Sequence, residues 1–69
     1  MTNEELLRVI EQAAREKVTV LDLSHEGLTV LPPEIGQLTS LTQLNLSGNK
    51  LTALPPQIGQ LNNLMRFIS

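Results

Sequence analysis

A chain of 69 residues, 41% of them hydrophobic, is long enough for one small domain. It has no cysteine, which excludes disulfides, redox thiols and thiolate metal sites, and its net charge of −2 argues against binding to nucleic acid or an anionic membrane. No apolar run exceeds two residues, so a membrane-spanning segment is excluded. The acidic start MTNEELLRVI does not resemble a secretory signal, so we expect a cytoplasmic protein that carries no cofactor.

Residues 1–17 have the pattern of an amphipathic helix. Thr2 followed by Glu5 fits a capping box. Apolar side chains then recur at helical spacing, at Leu6, Leu7, Val9, Ile10, Ala13 and Ala14. Because this segment stands directly before a repetitive region, we expect it to cover the apolar end of the first repeat. The alternative is a free helix that binds a partner or a membrane, and its polar face lacks the basic bias that membrane binding favours.

The rest of the chain is an internal repeat. Residues 18–40 read VTVLDLSHEGLTVLPPEIGQLTS and residues 41–63 read LTQLNLSGNKLTALPPQIGQLNN, with thirteen identical pairs. A third copy begins at residue 64 and covers residues 64–69. Such repeats are typical of stacked architectures, in which each repeat buries its apolar face against its neighbours. We therefore divide the chain into a helical segment, 1–17, and a repeat region, 18–69.

Each repeat predicts one short strand followed by a return path. The alternation of Leu21 with Leu23, and of their counterparts in the second repeat, places both leucines on one face of a strand. Two consecutive prolines then block an α-helix. The strands of successive repeats are expected to pair in parallel. Gly36 and Gly59 are interpreted as turn positions that tolerate a positive φ angle.

Residues 41–51, LTQLNLSGNKL, fit the pattern LxxLxLxxNxL and so resemble the leucine-rich repeat. The continuation LPPQIGQL resembles the LPxxIGxL variety of that repeat. The segment 1–24 also resembles the N-terminus of bacterial Roco-type proteins, in which a GTPase domain follows the repeats. The resemblance implies an α/β fold, namely a right-handed leucine-rich repeat solenoid with short parallel strands and an N-terminal α-helical cap. Asn49 stands at the signature asparagine, whereas Glu26 replaces it in the first repeat, which predicts no asparagine ladder.

The candidate binding surface is the concave face of the predicted sheet. Its side chains lie between the core leucines, and they are Val20, Asp22, Ser24, Gln43, Asn45, Ser47, Arg66 and Ile68. The alternative is a solvated sheet face without a ligand, because two full repeats offer little of the roughly 800 Å² per partner that a standard interface buries.

The C-terminal edge is the second candidate surface, because the sequence contains nothing that would cover the last repeat. The residues expected to face outward there are Ile58, Leu61, Leu64, Phe67 and Ile68. An exposed apolar strand edge is a template for pairing with another chain. We expect self-association about a two-fold axis, with antiparallel pairing of residues 64–69. The alternative is a monomer with a frayed tail.

Catalysis and metal binding find no support in the residue pattern. His25 is the only histidine, and its sequence neighbours Ser24 and Glu26 do not converge on one point as a catalytic group would require. No GxxxxGK[ST] motif is present. The sequence therefore predicts no enzyme, but a protein–protein interaction or scaffolding module that is the N-terminal part of a larger intracellular repeat protein. The alternative is a truncated repeat fragment with no specific partner.

Overall fold

The computed structural model describes residues 1–69 and contains one α-helix and one parallel sheet. Helix α1 spans Asn3–Glu16. Strands β1, β2 and β3 are each three residues long, and they span Val20–Asp22, Gln43–Asn45 and Arg66–Ile68. The strands lie side by side in the order β1-β2-β3. Between successive strands the chain returns through 3₁₀ segments at Pro33–Gln37 and Pro56–Gln60.

The capping box predicted at the start of α1 is confirmed. The Glu5 N–H donates to Thr2 Oγ1 over 3.1 Å, and the Thr2 N–H donates to Glu5 Oε1 over 2.8 Å. The hydrogen bond that the Thr2 N–H donates to the Glu5 carboxylate lowers the pKa of Glu5. Lys17 directly follows the helix as its C-cap residue, and its φ of 51° is left-handed. Leu6, Ile10 and Ala13 on its inner face are buried.

The strand register follows the repeat in the sequence. Val20 on β1 lies beside Gln43 on β2, which lies beside Arg66 on β3, and both strand pairs are parallel. The repeat period therefore sets the pairing, as the sequence predicts. Polar side chains add bonds at the same offset, since Thr42 Oγ1 donates to the Thr19 carbonyl over 3.1 Å.

Twelve buried apolar residues form one core that joins α1 to the first two repeats. Equivalent positions in the two repeats are not equally buried. Leu31 is 2% exposed, whereas its counterpart Leu54 is 43% exposed. Leu21 is half-buried, whereas its counterpart Leu44 is fully buried. The burial of a repeat position depends on the layer beside it as well as on the residue type.

The interpretation of Gly36 and Gly59 as positive-φ turns is wrong. The glycines with positive φ are Gly27 and Gly48, at 70° and 73°. Gly36 is buried, and a Cβ atom there would lie 3.0 Å from Gln57 Cβ and 3.1 Å from the Gln57 carbonyl oxygen. It therefore permits the close approach of the two 3₁₀ segments, whereas a Cβ on Gly59 would meet no atom within 4 Å.

One asparagine joins the turns of both repeats. Asn49 Oδ1 accepts hydrogen bonds from the N–H groups of Glu26 and Leu28, over 2.9 and 3.0 Å. Its Nδ2 donates to the carbonyls of Leu23 and Leu46, over 2.8 and 2.9 Å. No second asparagine takes part, as the Glu26 substitution predicts. Asn49 satisfies the backbone of the preceding repeat in addition to its own turn.

Candidate interaction surfaces

The sheet face opposite the leucine core is built from aligned rows of side chains. Strand alternation and the register place Val20, Gln43 and Arg66 in one row. The second row consists of Asp22, Asn45 and Ile68. Ser24 and Ser47 follow the first two strands. The structure thus brings together all eight residues that the sequence assigns to this face, and each of them is exposed or partly exposed.

The Asp22 carboxylate on this face has a fixed geometry. Its Oδ1 accepts hydrogen bonds from Ser24 Oγ at 2.6 Å and from the Ser24 N–H at 2.9 Å. These two bonds, the side-chain bond first, lower the pKa of Asp22. Asn45 makes the equivalent local bond in the second repeat, since its Oδ1 accepts from the Ser47 N–H at 3.0 Å. The Asp22 carboxylate on β1 and the Arg66 cation on β3 lie on opposite sides of the face, because β2 separates their strands.

The face is small for a binding surface. Adjacent strands are about 4.8 Å apart, so β1 and β3 are separated by only about 10 Å. Standard interfaces engage roughly 20–30 residues on each side, and this face supplies eight side chains. A stable complex on this face would therefore need additional contacts from elsewhere on the domain or from further repeats.

At the C-terminal edge the structure exposes part of the predicted apolar set. Phe67 is 37% exposed, and Ile58, Leu64 and Ile68 are half-buried. Leu61 is a correction, because it is only 5% exposed and belongs to the core. It follows the second 3₁₀ segment and turns inward there, with its carbonyl accepting from the Leu64 N–H.

Two exposed apolar side chains at this edge were missed by the sequence analysis. Leu54 is left uncovered on the last full repeat, and Met65 is 87% exposed. A sequence signal for Met65 existed, because it occupies the repeat position of Thr19 and Thr42. A large apolar residue at a position that is otherwise polar points to a surface role.

The residues around His25 form no catalytic arrangement. His25 lies in a turn with a φ of 55°, and its ring covers the site where a Gly48 Cβ would stand. The Asp22 carboxylate accepts both of its hydrogen bonds from Ser24 and therefore does not orient the imidazole ring. No three acidic or histidine side chains cluster closely enough to hold a metal ion. The single α-helix has neither the length nor the apolar character needed to cross a lipid bilayer.

Comparisons with known proteins identify the repeat family. The family model described as leucine rich repeat matches residues 16–68, which is more than half of the chain. A solved leucine-rich repeat protein of Leptospira interrogans is 34% identical, with a TM-score of 0.49. The similarity covers 84% of this chain and 21% of that one, so the chain spans about a fifth of that protein's length. A comparison with curated proteins gave no match. The family match over both repeats shows that the chain belongs to the leucine-rich repeat family.

Proposed function

We propose that this chain is a protein-interaction and scaffolding module that associates with a second copy of itself through its C-terminal edge. Membership of the leucine-rich repeat family supports the first part, since the family consists generally of non-enzymatic modules that bind proteins. Three exposed apolar side chains support the second part, namely Leu54 on the last full repeat, Met65 directly before β3 and Phe67 on β3. Large apolar side chains exposed on one end of a domain are typical of interaction sites.

The pattern along β3 favours antiparallel pairing about a two-fold axis. If the axis passes through Phe67, then the two Phe67 side chains face each other, and each Arg66 lies opposite the Ile68 of the second copy. Parallel pairing in register would instead place the two Arg66 cations side by side, which is destabilising. Aromatic cross-strand pairs contribute roughly 0.2–1 kcal/mol each. The observation that carries the self-association proposal is the exposure of Phe67 on the edge strand β3.

Mass in solution tests the proposal. Light scattering over a hundredfold range of concentration should give the mass of a dimer for the native chain and of a monomer for Phe67→Glu. Val30→Glu is the matched control, because Val30 is an exposed apolar residue in the first repeat, away from β3. It should remain a dimer. Circular dichroism would establish that all three proteins are folded.

A folded native chain that is monomeric at every concentration would refute self-association. Loss of the dimer in Val30→Glu as well would show that the effect of Phe67→Glu is not specific to the edge. A monomer would also favour the alternative of a repeat fragment without a specific partner.

We extend the proposal to the surroundings of the domain. The packing of Leu6, Ile10 and Ala13 into the repeat core supports a role for residues 1–17 as the N-terminal cap of a right-handed solenoid. The LPxxIGxL pattern and the likeness of the segment 1–24 to Roco-type proteins support a place at the start of a longer cytoplasmic chain. In such a chain the next repeat would cover the C-terminal edge, so the self-association proposed above is a property of the 69-residue chain on its own. In-frame coding sequence with further repeats and a GTPase domain after residue 69 would establish that context.

A further inference from the structure

The edge of the sheet formed by β1 has free backbone groups. β1 pairs with β2 alone, and that pairing uses the odd-numbered residues: the Leu23 N–H donates to the Asn45 carbonyl, and the Thr19 carbonyl accepts from Gln43. Because backbone groups alternate in direction along a strand, those of Val20 and Asp22 point away from β2. This edge therefore has donors and acceptors suited to one more strand.

An apolar groove lies beside this edge. It has a volume of about 350 Å³ and is lined by Val9 and Ala13 from α1 and by Val18 and Leu21 from the chain around β1. This volume is at the lower end of the range of ligand pockets, about 300–1,000 Å³. The groove explains why Leu21 is only half-buried, whereas Leu44, at the same repeat position, has a strand on each side. The helix thus covers the first repeat incompletely.

Charged groups mark the two ends of the groove. Arg8, Gln12 and Glu16 line its rim at four-residue intervals along one face of α1. Arg8 and Glu16 are about 12 Å apart along the helix, which corresponds to about four residues of an extended strand.

The contacts of α1 fix its direction relative to β1. The chain amino group donates to the Glu26 carbonyl beyond the end of β1, and the Val18 N–H donates to the Ala13 carbonyl before its start. The helix therefore runs antiparallel to the strand. Glu16 consequently lies beside the start of β1, and Arg8 lies further towards its end.

From these observations we infer that the β1 edge binds an extended peptide segment of a protein partner, added in parallel as a fourth strand. A central aliphatic side chain of the segment fills the groove against Leu21. A basic residue two positions earlier pairs with Glu16, and an acidic residue two positions later pairs with Arg8. All three side chains face the helix because alternate residues of a strand share one face. The parallel direction continues that of the existing strand pairs.

Blocked seven-residue peptides provide the test. The first has lysine, leucine and glutamate at its second, fourth and sixth positions and threonine elsewhere. The second exchanges the lysine and the glutamate, and the third replaces the leucine with serine. Titration into ¹⁵N-labelled protein, followed by NMR, should shift the amide signals of Val20 and Asp22 with the first peptide. We expect it to bind about fivefold more tightly than the charge-exchanged peptide, as two exposed ion pairs allow.

A protein variant makes the test reciprocal. The double substitution Arg8→Glu and Glu16→Lys alters two exposed helix positions and should transfer the preference to the charge-exchanged peptide. Any of four results would overturn the inference. The first two are equal binding of the first and the charge-exchanged peptides, and an unchanged preference in the double variant. The other two are equal binding of the first and the serine peptides, and amide signals of Val20 and Asp22 that do not shift. The β1 edge and β3 lie at opposite edges of the sheet. Failure of the peptide-binding inference would therefore leave the proposed self-association unaffected, and failure of the self-association would leave the peptide-binding inference unaffected.

Discussion

Replacing Asn49 by alanine should destabilise the domain by about 3 kcal/mol. The substitution removes four hydrogen bonds, three to the first repeat and one to its own, and a typical hydrogen bond contributes a net 0.5–1.5 kcal/mol, or about 2–6 kcal/mol for four. We take the lower half of that range because the side chain is only partly buried and water can reach some of the freed groups. A chain of this length has a total stability of about 3–10 kcal/mol, so the loss is a large share of it.

Urea unfolding followed by far-ultraviolet circular dichroism measures this loss in a chain that has neither tryptophan nor tyrosine. Asn45→Ala is the matched control, because Asn45 is also partly buried but accepts one local bond, from Ser47. We expect this control to lose about 1 kcal/mol or less. If the losses of stability in the two variants differ by less than about 1 kcal/mol, then the bonds between Asn49 and the first repeat do not stabilise the domain as expected.

Three further predictions follow from individual contacts. Gly36→Ala should lower the free energy of unfolding by about 1–3 kcal/mol because its Cβ would crowd Gln57. Gly59→Ala should be neutral or stabilising by up to about 1 kcal/mol. Equal losses of stability in the two variants, measured by urea unfolding, would contradict the role of Gly36 in packing. Thr2→Ala should lower the stability of the domain by about 1 kcal/mol in a thermal melt, whereas Thr2→Ser, which keeps the hydroxyl, should retain most of the native stability. Ser24→Ala should raise the pKa of Asp22 towards its ordinary value in an NMR titration. Because the pKa of Asp22 is lowered in the folded state, its ionised carboxylate stabilises the domain at pH values above the ordinary pKa. This stabilisation is lost as the pH falls through the lowered pKa, and Asp22→Asn should remove this pH dependence of stability.

The features that the sequence predicts well are those set by local pattern or by the repeat period. The capping box depends on two residues three positions apart, and the strand register depends on the repeat offset that places Leu21 beside Leu44. The roles of Gly36 and Leu61 depend instead on atoms from other parts of the fold. Gly36 faces a side chain and a carbonyl of the next repeat, and no local pattern distinguishes it from Gly59.

Stacking also determines where the domain is free to bind. Leu21, Leu44 and Phe67 occupy one repeat position on three adjacent strands, yet they are half-buried, fully buried and exposed in that order. The middle position has a strand on each side, whereas the first has β2 on one side and the groove beside α1 on the other, and the third pairs with β2 alone. The apolar surface left at the two ends therefore follows from the geometry of stacking. Six of the eight side chains on the central sheet face are polar or charged, and its carboxylate is already bonded to Ser24, so apolar association is favoured at the edges, β1 and β3, over the face between them.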